Sequence, residues 1–166
     1  MEFEDVIRKR ESTRKFSDKV VDDNILNKIL EAGRVAPTAK NIQPIKIYVV
    51  KNKLDSIDKS SRCRYNAPIV LLVCGNKEEA FSDEFGSTYE VDASIVTTHM
   101  MLEATNLGVD NIWIRLFDEQ VLREEFNIPK EFVPVALLPI GYRSDDCPDS
   151  PRHNIRKDIK ELAEYC

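Results

Sequence analysis

Glycine is scarce in this chain. Its 166 residues include only Gly33, Gly75, Gly86, Gly108 and Gly141. No two stand close enough for the glycine-rich turn of a Rossmann unit or for a P-loop. A phosphorylated ligand would have to be gripped by side chains. The four cysteines, Cys63, Cys74, Cys147 and Cys166, form no CxxC pair. A structural zinc site or a ferredoxin-type cluster therefore has no support, and reduced thiols in a cytoplasmic protein are the simplest reading. A basic excess is missing too: the net charge of −5 argues against a general nucleic-acid binder. No opening apolar run points to a signal peptide. The most apolar helix candidate carries Asp92, His99 and Glu103, which excludes a membrane span. Repeats, low-complexity stretches and interdomain linkers are absent, and the length fits one domain, residues 1–166. A hydrophobic fraction of 42% and a charged fraction of 32% fit a soluble globular protein.

What is present begins at Arg10-Glu11-Ser12-Thr13-Arg14. In an extended backbone, side chains at alternate positions point the same way. Arg10, Ser12 and Arg14 would then converge on one small anion, two guanidinium forks beside a compact hydroxyl. The bland alternative is a solvated basic segment after an amphipathic helix. A late cluster, Arg152, His153, Arg156 and Lys157, offers a second cationic arm. If a helix starts at Arg156, its basic residues sit at the end where cations are disfavoured, which tilts Arg156 toward an anion. Between these lies a polar loop, Pro37-Thr38-Ala39-Lys40-Asn41-Ile42-Gln43-Pro44. Its Thr38, Asn41 and Gln43 can pair the donors and acceptors of a heteroaromatic ring or satisfy their own backbone.

Periodicity supplies the framework. Residues 2–10 read as a short helix and Asp23–Arg34 as a second, ended before Pro37. Lys46–Val50 reads as a strand. Ile69–Cys74 is an uninterrupted apolar run and suits a strand buried on both faces. Ser87-Thr88-Tyr89-Glu90 has the form of a capping box opening a long apolar helix to about Leu107, stopped by Gly108. Asn111–Phe117 reads as a strand with Trp113 in the core. Asp118 caps a helix to about Asn127, and Val133–Tyr142 is a strand. Residues 143–155 form a loop, and Arg156–Tyr165 a closing helix. His99 reads as a satisfied core or interface residue. The order mixes helices and strands without strict alternation, so the expected class is α+β.

Taken in order, these segments resemble the FMN-dependent nitroreductase family. The resemblance rests on Arg10-x-Ser12-x-Arg14 and on Ala36-Pro37-Thr38-Ala39-Lys40-Asn41-Ile42-Gln43-Pro44. It continues through the Leu107-Gly108 helix exit, the Trp113 strand, and the apolar strand ending Gly141-Tyr142. The nine-residue motif is the more specific. Ile45 follows Gln43-Pro44 where the family often has Trp, and Arg115-Leu116 stands where many members have Glu-Gly.

The resemblance implies a mostly antiparallel central sheet flanked by helices and a homodimer with the long helix at its seam. FMN would lie at the subunit interface. Arg10 and Ser12 would hold the phosphate and ribityl end, with Arg156 on the phosphate. Arg14 would sit by the pyrimidine edge, balancing the charge of the reduced ring. Pro37, Thr38, Ala39 and Asn41 would line the ring from the partner subunit, with Gln43 supporting the loop. The strand with Ile114 and Arg115 would pass flavin N5 through its backbone. The implied enzyme takes reducing equivalents from NADH or NADPH and passes them to nitroaromatic, quinone or related acceptors by ping-pong kinetics, with no side-chain nucleophile. A flavin-binding carrier or regulator with little turnover is the alternative.

Overall fold

The strand read as doubly buried organises the molecule. The computed structural model describes residues 1–166, and β2 (Ile69–Asn76) is buried at every position. It lies between β1 (Ile45–Val50) and β6 (Phe132–Gly141), and β5 (Asp110–Asn111) completes the sheet beyond β6, giving the order β1-β2-β6-β5. All three pairings are antiparallel. Alternate side chains serve two cores, because successive strand residues face opposite ways. Ile69, Leu71 and Val73 pack with Val96, Met100 and Leu138. Val70, Leu72 and Cys74 pack with Ile57, Leu122 and Leu137. Helices α2 (Asp23–Arg34) and α4 (Tyr89–Asn106) contribute to the first core, and α3 (Leu54–Ser60) and α5 (Glu119–Phe126) to the second. This is the α+β arrangement expected, with helices on both sides of an antiparallel sheet.

Local chemistry explains most of these elements. Asp22 caps α2 by accepting the Asn24 N–H at 2.8 Å. Asp118 caps α5 by accepting from Gln120 N and Val121 N, the expected role of a short acid at a helix start. Gly108, at φ 74, supplies the left-handed residue after α4. At Gly33 a Cβ would lie 2.8 Å from Met100 Cγ, so glycine there permits the close approach of α2 to α4. Burial pushes the Cys74 thiol up to about 12, and all four cysteines are free.

Several expectations need correction. The capping box at residues 87–90 does not form: Thr88 precedes α4, but its hydroxyl turns to Asp92 and to the Phe81 carbonyl instead of a helix N–H. The strand at residues 111–117 shortens to β5, with one bridge at Ile114 opposite Leu137. Trp113 is half-buried, since Ile112 and Ile114 take the inward positions. Residues 156–165 carry only a 3-10 turn, Ile159–Glu161. Their Ile159, Leu162 and Tyr165 are exposed, and a short helix with nothing to pack on is marginal in water. The dipole argument for Arg156 falls with that helix. Two features carried no expectation: α3 and the hairpin of β3 (Ser82–Asp83) and β4 (Gly86–Ser87). Helix α1 (Phe3–Lys9) buries only Val6. His99 is half-buried, with Nδ1 at 2.9 Å from the Ile95 carbonyl oxygen.

Candidate cofactor site

The Arg/Ser/Arg segment is extended because the sheet edge holds it. Ser12 bridges Asn111 in parallel register, and the Thr13 N–H donates to the Asn111 carbonyl at 3.0 Å. Asn111 is itself fixed to α4, its side-chain amide donating to the Met101 carbonyl and to Thr105 Oγ1. Thr13 turns inward and is buried, while Arg10 and Ser12 are half-buried and Arg14 is exposed. Alternation thus presents Arg10, Ser12 and Arg14 outward, as the spacing predicts. The Ser12 hydroxyl makes no hydrogen bond within the chain. Arg14 Nη1 donates to the Ser12 carbonyl at 3.3 Å. Its guanidinium also lies beside the Tyr65 phenol: burial and Cys63 push that phenol up, and Arg14 opposes them.

Arg156 comes back to this segment. Burial lowers the Arg10 guanidinium from its ordinary value, Arg156 lowers it further, and Glu11 opposes both. Neither arginine is paired with a carboxylate, although many of the chain's other cations are. Two guanidiniums that act on one another electrostatically without a carboxylate between them are an arrangement that an anion relieves. Arg156 Nη1 meanwhile rests on the Ile155 carbonyl at 2.8 Å.

A latch unseen in the sequence brings the late segment home. Glu11, between the two outward residues, accepts from Arg143 Nη1 at 3.3 Å and from the Ser150 N–H at 2.8 Å. Arg143 also donates to Asp149 at 2.6 Å and to the Cys147 carbonyl at 2.9 Å. The loop at residues 143–150 is thereby tied to the segment it must meet.

The polar loop is wound unusually. Ala39–Asn41 form a 3-10 turn, and Lys40, Asn41 and Gln43 all have left-handed φ, at 51°, 56° and 58°. Non-glycine residues rarely adopt this region, and such clusters mark functional sites. Thr38 Oγ1 accepts the Gln43 N–H at 3.0 Å, and Gln43 Nε2 donates to the Asn41 carbonyl at 3.2 Å. Thr38 and Gln43 therefore brace their own loop, while the Asn41 side chain has no partner in the chain. Pro37 is exposed and Ala39 half-buried. Thr38 and Gln43 also border a cavity of about 210 Å³ with Leu30, Ala36, Ile45 and Val96. Ala39 donates its N–H to Asp92, a buried residue of α4, at 2.8 Å. Lys40 is engaged as well, its ammonium 4.0 Å from the centre of the Phe81 ring.

Along the segment after β5, Ile114 spends both backbone groups on β6: its N–H donates to Leu137 at 2.9 Å and its carbonyl accepts from Leu137 at 3.0 Å. Arg115 points the other way. It is exposed, its N–H donates to no carbonyl, and its guanidinium carbon lies 5.0 Å from the centre of the Phe117 ring. No cluster of acidic, histidine or cysteine side chains is arranged to hold a metal ion. No helix is long and apolar enough to cross a membrane.

Known proteins place this arrangement. A nitroreductase family protein from Clostridium difficile 630 superposes with a TM-score of 0.92 at 35% identity, covering 99% of this chain and 98% of that one. A relative from Methanothermobacter thermautotrophicus, provisionally named an NADH dehydrogenase/NAD(P)H nitroreductase, is 26% identical over 155 residues, 88% of this chain and 80% of its own length. A structure described as an FMN-dependent nitroreductase, from Clostridium difficile R20291, shares the fold with a TM-score of 0.75 at 24% identity, covering 92% of this chain and 97% of that one. The family model described as Nitroreductase family matches residues 7–65 and 58–142. With the sheet order and the outward Arg10, Ser12 and Arg14 in place, these matches settle the family: the chain belongs to the nitroreductase family.

Proposed function

We propose that this chain is an FMN-dependent oxidoreductase that takes electrons from NADH or NADPH and delivers them to nitroaromatic, quinone or related electrophilic acceptors. The observation that carries the reading is the row of Arg10, Ser12 and Arg14 presented outward by the extended segment that bridges Asn111, with Arg10 free of any carboxylate partner and subject to a second positive charge from Arg156. That donor set suits a phosphate monoester. The name of the FMN-dependent Clostridium difficile R20291 protein supports the same cofactor.

When bound, FMN supplies two-electron redox chemistry at its ring. The chain's own residues do the rest. Arg10, Ser12 and Arg156 anchor the phosphate end. Arg14 places a positive charge by the ring's pyrimidine edge and favours the reduced, anionic form. The free N–H of Arg115 is the donor this segment can offer the ring, because Ile114 has committed its own to Leu137; Ile114 acts as the anchor that sets the segment's height. Pro37, Thr38, Ala39 and Asn41 form the ring-lining wall, Gln43 braces it, and no side chain acts as a nucleophile.

The wall comes from a second copy of the chain. Phe3, Ile7, Val35 and Val91 are exposed apolar residues on or beside α1, α2 and α4, and Ile155, Ile159, Leu162 and Tyr165 are exposed along the tail. Large apolar side chains exposed on these elements are candidates for burial against a second subunit. In the proposed two-fold dimer the loop of one protomer meets the arginines of the other. A wall on one side would leave NAD(P)H and the acceptor a shared position, to be used in turn. Ping-pong kinetics follow: parallel double-reciprocal lines with NAD(P)H and nitrofurazone support the scheme, and intersecting lines refute it.

The latch gives a separate prediction. Glu11→Gln keeps the shape but removes the charge that holds Arg143 and the Ser150 N–H. Partly exposed ion pairs contribute up to about 1 kcal/mol, so FMN affinity should fall by a few-fold, measured by flavin fluorescence titration. An unchanged affinity would show that the latch does not place Arg156.

A further inference from the structure

We infer that Asp92 is the positioning residue of the flavin site: its buried carboxylate holds the strained loop at residues 38–43 in its binding shape and ties that loop to the β3–β4 hairpin. The inference rests on the proposed role of the loop in lining FMN.

Asp92 is 1% exposed. No lysine or arginine pairs with it. A buried carboxylate without a counter-ion is costly unless hydrogen bonds replace its water. Here Oδ1 accepts the Ala39 N–H at 2.8 Å and Oδ2 accepts the Thr88 hydroxyl at 2.9 Å. The first turn of α4, where it sits, adds a favourable dipole. The Thr88 Oγ1 also lies 3.1 Å from the Phe81 carbonyl, at the base of the hairpin.

The loop needs an outside hold. Lys40, Asn41 and Gln43 are left-handed without being glycine, and such residues persist only where their surroundings impose them. The side-chain bonds from Thr38 and Gln43 are internal to the loop. The Ala39–Asp92 bond is the one hydrogen bond between this loop and a side chain elsewhere in the chain. The contact of Lys40 with the Phe81 ring is a second tether and ends on the same hairpin. Asp92 thus sets the peptide that enters the left-handed turn. It touches no reacting atom; it acts through the backbone of Ala39.

Three variants test this. Asp92→Ala should leave the fold intact by circular dichroism and weaken FMN binding about tenfold, the scale of releasing one strained residue. Ala39→Pro deletes the donor and leaves Asp92 in place. Thr38 before it is already extended, at φ −133° and ψ 161°, as a residue preceding proline must be. Ala39→Pro should reproduce the loss seen in Asp92→Ala, and the double variant should lose no more than the larger single loss, because both remove the Ala39–Asp92 bond that holds the loop. A purely structural aspartate would show additive losses. If Asp92→Ala fails to fold, the Ala39→Pro variant decides: wild-type FMN affinity there overturns the inference.

Amide hydrogen exchange across residues 40–43, measured without flavin, provides the readout independent of the cofactor. Exchange should accelerate in Asp92→Ala and in Ala39→Pro. Unchanged exchange in both refutes the clamp. If the wild-type protein takes up no FMN but exchange accelerates as expected, the proposed function fails while the clamp stands.

Discussion

Arg10→Ala should weaken FMN binding by about 1.5–3 kcal/mol, the range for a hydrogen bond to a charged group, or roughly tenfold to more than a hundredfold in Kd. The size follows from the setting. Arg10 is half-buried, it has no carboxylate partner, and the charge of Arg156 adds to the cost of its own. It is therefore partly desolvated and uncommitted, the state in which a charge-assisted contact counts most. Arg8, two residues earlier, provides the control: it is exposed and already paired with Glu4, so Arg8→Ala should leave Kd unchanged. Equal affinity in the wild type and Arg10→Ala would remove the phosphate from this segment.

Leu138→Ala should cost about 2–5 kcal/mol of folding stability, as large-to-small substitutions in closed cores do. Leu138 is fully buried on β6, opposite Leu71 of β2, and belongs to the core shared with Val96 and Met100 of α4. Neighbours drawn from a central sheet and a long helix cannot readily collapse into the space left behind. Urea denaturation should show a lower midpoint with little change in slope. FMN affinity of the folded fraction should stay close to wild type, because the change lies beneath α4 and away from Arg10 and the loop at residues 37–44. A loss of less than about 1 kcal/mol would mean that this core relaxes far more than its burial suggests.

The sequence was legible where one residue type had one dominant use. The run Ile69–Cys74 reads as doubly buried because no polar residue interrupts it, and β2 is buried throughout. Helix α2 was readable to its ends from its apolar stripe and Pro37, and α5 from Asp118. Helix α3 was not, since Leu54 and Ile57 are its only large apolar residues and no side chain caps it. The expected strand at residues 111–117 followed a real alternation: Ile112 and Ile114 are inward. Alternation reports facing, however, not ladder length, and the ladder there is β5 plus one bridge. The closing helix failed for the converse reason. Its period was helical, but Ile159 and Leu162 have nothing in the chain to pack against.

The site divides in the same way. Arg10, Ser12 and Arg14 were legible because their spacing is local and a single extended backbone expresses it. Asp92 was not, because the N–H it holds lies 53 residues away. It read only as a charge that barred a membrane span. Glu11 was hidden for a similar reason, since its partners Arg143 and Ser150 belong to a late loop. Such long-range hydrogen bonds leave no periodic trace, and they fix the shapes of the cationic segment and the polar loop on which the proposed site depends.

The most direct test is the visible spectrum of the purified protein with FMN added in excess and then removed by desalting. The proposed site predicts a yellow protein that retains its flavin, bleaches on anaerobic addition of NADH or NADPH, and regains its colour when nitrofurazone or a quinone is added. A colourless protein after desalting, or a bound flavin that neither nucleotide bleaches, would contradict it.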